Sequence, residues 1–226
     1  MIKKFILASA ILSTSALAGQ TEINLIEQSA RSLDSTKLAT LTEQYQGYDQ
    51  AFALYRLAVT ESVVGDNKSS KRYLDQAMVI LESRLESNTE DVETMILLAQ
   101  VYGFQIALKP YKGAYYGVKS ASVLEQAKAL APENPRVHLV QGISDYQTPA
   151  IFGGSKSSAI KAFDDAIEFY QADQNSGYHW GYEEAYVWRG LAQLALNNGE
   201  QAQADWQRAI ELAPDYGWAK MLKSKN

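Results

Sequence analysis

Apolar residues return along this chain at intervals of three and four, not two, from about residue 50 to the far end. That spacing gathers them on one stripe of an α-helix and leaves no alternating run for a half-buried strand. The stripes come in pairs. Leu54, Leu57 and Ala58 are followed, across a Gly65–Asp66 turn, by Ser70, Leu74 and Ala77. Met95, Leu98, Ala99 and Tyr102 lead to Ser120, Leu124, Ala127 and Pro132. Gly142 then precedes Ala159, Phe163 and Ala166, and Trp188, Leu191 and Ala192 precede Gly199, Ala202, Trp206, Ala209 and Pro214. Each pair predicts one helix hairpin, so the expected class is all-α.

These residues resemble the tetratricopeptide repeat, whose pattern runs W-x2-L-G-x2-Y, then A-x3-F, then proline. Small residues (Ala58, Ala99, Gly142, Ala192) fall where two helices of a hairpin would cross closely. Large ones (Leu74, Leu124, Phe163, Trp206) fill the space between. The resemblance covers about residues 50–214 and is clearest in the last repeat. It implies an α-solenoid of about four irregular hairpins. Capping helices are expected from residues 21–46 and from 215–223, because a stack of repeats otherwise exposes an apolar end. The closing alanines Ala77, Ala127, Ala166 and Ala209 recur at intervals of 50, 39 and 43 residues, longer than the roughly 34 of the regular repeat. Insertions are therefore expected in the second and third hairpin turns.

The N-terminal MIKKFILASAILSTSALA reads as a secretory leader. Lys3 and Lys4 precede an apolar stretch from Phe5 to Ala16, and Ala16-Leu17-Ala18 is a small-residue cleavage site before Gly19. Residues 19–226 then form a single domain, expected in the periplasm, with outright secretion the alternative. The chain has no cysteine, which removes disulfides, thiol chemistry and a lipidated cleavage site together. Its net charge of −5 becomes −7 once the two leader lysines leave, which argues against a nucleic-acid partner.

The segment TPAIFGGSKSSAIKAF, residues 148–163, invites a phosphate-loop reading. A phosphate loop needs G-x-x-x-x-G-K-[ST] between a strand and a helix, and here no glycine lies five residues before Gly154. The spacing instead makes FGG the turn inside the third hairpin, with Ser155 as N-cap of the next helix. His138 and His179 are isolated, the pairs Asp164-Asp165 and Glu183-Glu184 read as solvated helix face, and no G-x-S-x-G elbow is present. No enzyme, cofactor or metal is expected.

What remains is recognition. The repeat resemblance implies a groove lined by the first helices that takes a protein or peptide partner. Registering those helices puts Tyr55, Gln100, Phe104, Arg136, Tyr146, Tyr186, Arg189 and Gln193 on that face. Two loop-like stretches, LKPYKGAYYGVK and NSGYHWGY, are rich in rings, either folded onto the stack or left open for recognition. The turns inside successive hairpins share one edge of a stack. Lys109, Tyr111, Lys112, Tyr115, Tyr116, Phe152 and Lys156 are therefore expected to form a basic, aromatic edge patch suited to an anionic partner, including a small ligand. The 148–163 turn is also similar to turns in helical-repeat T components of periplasmic solute transporters. That similarity gives the alternative of a small-ligand carrier or transport accessory.

Overall fold

The structure is a computed structural model that describes residues 15–173 and 177–226. Most of the expected leader, residues 1–14, and part of the second ring-rich loop, residues 174–176, lie outside them. The described residues form eleven α-helices and no strand: α1 (Ser15–Arg31), α2 (Ser35–Gln44), α3 (Gly47–Val63), α4 (Asn67–Ser87), α5 (Val92–Leu108), α6 (Gly113–Leu130), α7 (Pro135–Gln147), α8 (Lys156–Tyr170), α9 (Tyr182–Ala195), α10 (Gly199–Leu212) and α11 (Gly217–Lys225).

Local chemistry sets the boundaries. Asp34, Asp66 and Asp91 each accept a hydrogen bond from the backbone N–H three residues on, capping α2, α4 and α5. Ser155 caps α8 in the same way, by accepting from the Ser158 backbone N–H. The double glycine is a turn: Gly153 has a left-handed φ of +95° and closes a short 3-10 helix, Ala150–Phe152. Gly154 follows with no room for a side chain, since a Cβ would lie 1.8 Å from the Thr148 carbonyl oxygen.

The helices pair as α3–α4, α5–α6, α7–α8 and α9–α10, the expected hairpins. Helices α1 and α2 extend the stack at one end and α11 covers the other. The first helices α3, α5, α7 and α9 pack on one another in series, which places them on the inner face of a curved stack. Close crossings occur where the chain is small. A Cβ on Gly142 would come within 2.5 Å of the Phe163 ring, and one on Gly190 equally close to Trp206. Phe163 and Trp206 are fully buried as a result, as are Leu74, Ala77, Ala166 and Ala209.

The connection from α8 to α9 does not stay at the edge. Tyr178 stacks on Tyr48 of α3 at 4.3 Å, and Trp180 packs on Phe52 at 5.3 Å while its Nε1 donates to Tyr48 Oη at 3.0 Å. Gln20 of α1 pairs with the His179 backbone from both sides, donating to its carbonyl and accepting from its N–H. The ring-rich segment 177–182 is therefore folded onto the stack. It joins the third and fourth hairpins to the first.

Candidate functional site

Charged side chains hold the inner face together where these elements meet. Arg56 of α3 donates to Glu27 of α1 at 2.6 Å and to Glu184 of α9 at 2.9 Å, all three nearly buried. Arg31 at the end of α1 adds pairs to Glu183 at 2.5 Å and to Asp215 at 3.3 Å. The Glu183-Glu184 pair is thus no solvated face. It is the acidic half of a clamp that ties the fourth hairpin to the first.

Burial raises the Glu27 carboxyl to about 7, outweighing the attraction of Arg56, whose charge is shared with Glu184. The fold consequently binds a proton at Glu27 more tightly than the unfolded chain, whose carboxyl titrates near 4.5. The stability tied to this group is fully present below that value and is lost as pH rises through about 7. In Glu27→Gln, urea unfolding should show a shallower fall in stability between those two values. Asp49, raised by burial to about 6, keeps a residual slope of the same sign.

Above this clamp the inner face carries a ladder of rings. Tyr55 of α3 meets Phe104 of α5 edge-on at 6.4 Å. Tyr146 of α7 meets Trp188 of α9 at 5.6 Å, and Trp188 meets Trp218 of α11 at 5.3 Å. Phe104, Tyr146, Trp188 and Trp218 all keep part of their surface open. Gln100 sits on the same face of α5, one helical turn before Phe104. Its side chain is buried, and neither Oε1 nor Nε2 has a hydrogen-bond partner among the described residues. Buried amides are nearly always paired, so this one is exceptional.

Of the residues expected in the groove, Phe104 and Tyr146 are partly open, while Tyr55 and Gln100 are buried. Arg136 is not available. It is fully buried, donating to Glu93 at 2.9 Å and to Asp173 at 2.5 Å. Tyr186, Arg189 and Gln193 lie on the wrong side of α9. Arg189 turns outward to Asp205 of α10 and Asp164 of α8, with the Tyr186 ring against its guanidinium. Gln193 accepts from Asn198 at the turn to α10. The inward positions are Glu184 and Trp188. Tyr186, two residues from each, lies about 200° around the helix from them, and Arg189 and Gln193, five residues beyond Glu184 and Trp188, lie about 140° away.

The residues expected in the edge patch differ in exposure. Tyr111, Tyr115 and Phe152 are exposed, and Lys112 lies over the Tyr116 ring. Tyr116 itself is buried, stacked on Tyr102 at 5.6 Å. Lys109 pairs with Asp75, and Lys156 donates to the Tyr146 carbonyl while covering its ring. The patch is therefore more apolar and less basic than its composition suggests. Sequence reasoning also missed its aliphatic members, Val63, Val64, Ile151 and Leu196, which are exposed at or beside the hairpin turns.

Both histidines have partners within the chain. His138 Nε2 lies 2.7 Å from the Pro132 carbonyl, and His179 Nδ1 lies 2.9 Å from Asp173. Among the described residues no cluster of metal-ligating side chains occurs, and no helix is long and apolar enough to cross a membrane.

No family model matches the chain, and no curated protein matches it. Solved structures do. The fold is similar to that of the HusA haemophore from Porphyromonas gingivalis, with a TM-score of 0.61 and 22% identity, covering 82% of this chain and 96% of that one. It is also similar to TTC0263, a thermophilic TPR protein of Thermus thermophilus, with a TM-score of 0.57 and 18% identity over 93% of this chain and 97% of that one. The chain has a tetratricopeptide-like helical-repeat fold.

Proposed function

We propose that this chain is a noncatalytic, exported helical-repeat scaffold that holds an extended peptide segment of a protein partner on its inner face. The observation that carries this reading is the unpaired Gln100 carboxamide beside the Tyr55–Phe104 rings. One carboxamide offers a donor and an acceptor, the complement of a peptide group, and because both atoms are closed to solvent a partner reaches them only when the partly open Phe104 ring one turn on moves aside. The rings around it bury apolar side chains with little loss of conformational freedom. Export rests on the leader-like residues 1–18 and the lack of cysteine, and the periplasm is the compartment that they suit.

A small-ligand carrier is the second reading. It is favoured by the open surface of Trp188 and Trp218 and by the similarity to a protein described as a haemophore. Gln100→Leu separates the two. It removes an unpaired buried polar group, so the melting temperature should hold or rise slightly. A peptide ligand should lose about tenfold in affinity or more when its backbone partner disappears, measured by titration calorimetry. An apolar ligand held by rings alone should bind Gln100→Leu as well as it binds the unaltered protein. Equal peptide affinity in Gln100→Leu would remove the basis of the first reading.

A further inference from the structure

The two edges of the stack differ in kind. Turns inside the hairpins all fall on one edge, because consecutive antiparallel helices alternate direction and the first helices run parallel. Every one of those turns carries exposed apolar side chains: Leu33 between α1 and α2, Val64 between α3 and α4, Tyr111 between α5 and α6, Ile151 and Phe152 between α7 and α8, and Leu196 between α9 and α10. Ile151 is 85% exposed, Tyr111 82% and Phe152 75%. Among the described residues of the opposite edge, only Leu130 is comparable.

Charge follows the same edge. From Thr94 to Leu124 the chain has Lys109, Lys112 and Lys119 and no acid, and from Tyr146 to Phe163 it has Lys156 and Lys161 and no acid. Lys109 and Lys119 answer acids reaching across from α4, Asp75 and Glu82. Among the described residues Lys112 and Lys156 pair with no carboxylate, so the two middle turns present positive charge on a chain whose net charge is −5.

From this arrangement we propose that the hairpin-turn edge docks on an anionic lipid surface. The apolar side chains stand on separate projecting turns, about a helix diameter or more apart, and do not enclose a groove that a protein segment could fill. A fluid interface accepts such separated wedges, with rings and branched aliphatics entering the headgroup and acyl boundary while lysines stay at the phosphates. The inner face plays no part in this contact, and the two surfaces can be disabled independently.

The test is co-sedimentation of the chain without its leader, residues 19–226, with vesicles of equal parts phosphatidylglycerol and phosphatidylcholine, against vesicles of phosphatidylcholine alone. The unaltered protein should sediment with the anionic vesicles and much less with the neutral ones, and added salt should weaken the difference. Ile151→Ser/Phe152→Ser should reduce binding at least about tenfold. Its circular dichroism and melting should not change, because both side chains already face solvent. Lys112→Glu should lower binding to anionic vesicles only. Failure of the intact protein to bind either vesicle would overturn the proposal, and so would undiminished binding of the double serine variant. If light scattering instead shows self-association that the serines abolish, with no vesicle binding, the edge is an interface between copies and the lipid assignment is wrong.

Discussion

Arg136→Ala should cost about 3–5 kcal/mol of folding stability, an effect usual for breaking a buried ion pair by removing one partner. The guanidinium is fully buried and serves two carboxylates from different parts of the chain: Glu93 on α5 and Asp173 at the start of the α8–α9 connection. Asn134 also donates to Glu93. Without Arg136, two nearly buried carboxylates lose the cation that they share. In a domain of this size that loss should lower the melting temperature by roughly 10 °C or more. Arg136→Met keeps most of the stem but leaves the same charges, and should be nearly as damaging. Adding Glu93→Gln to it should restore part of the loss, since one stranded charge is then removed. Chemical and thermal denaturation of the three variants check this. A melting temperature unchanged in Arg136→Ala would mean that the arginine faces a partner, as its sequence position suggests.

Trp180→Ala should be comparably severe, at about 3–5 kcal/mol, but should act somewhere else. Trp180 is buried against Phe52, hydrogen-bonds Tyr48, and offers its carbonyl to Tyr170 Oη at 2.8 Å. It fastens the α8–α9 connection to α3. Loss of the ring should release that segment, so backbone amides of residues 177–181 and of the first turns of α3 should exchange with solvent faster than those of α10. Trp180→Phe keeps a ring and loses one hydrogen bond, and should cost only about 1 kcal/mol. Uniform acceleration of exchange across all helices would instead mean that the connection is an ordinary part of one cooperative core.

The hairpins are legible in the chain because their signals are local. Gly142 under Phe163, Ser155 capping α8, and helices on either side of the repeats all follow from short-range spacing. The inner face is legible only where a helix has one apolar side. Helix α5 is buried on all sides from Glu93 to Tyr102, and α9 from Glu184 to Val187, so periodicity does not say which side faces inward. Spacing therefore reads Trp188 as repeat core and Arg189 as groove, whereas Trp188 packs on the core but stays partly open beside Tyr146 and Trp218, and Arg189 is held by Asp205 and Asp164. The clamp of Arg56 and Glu184, and the return of Trp180 to Tyr48, join residues more than a hundred positions apart. No spacing rule reaches that far. Charge alone is also a poor guide: Arg136 and Glu184 are spent on internal pairs, and the exposed edge is marked by apolar residues that a composition count treats as core.

The inner-face reading stands or falls on where a partner touches the chain. A photo-activated benzophenone side chain can be placed at Phe104 or Trp188, both partly open on the inner face, and at Val79, exposed on the outer helix α4. After irradiation in living cells, mass spectrometry of the tagged chain should find peptide or protein adducts at Phe104 and Trp188, at least about tenfold above those at Val79. These adducts should fall away when Gln100→Leu is added. Adducts equally frequent at Val79, or absent from both inner positions, would contradict a partner held on the inner face.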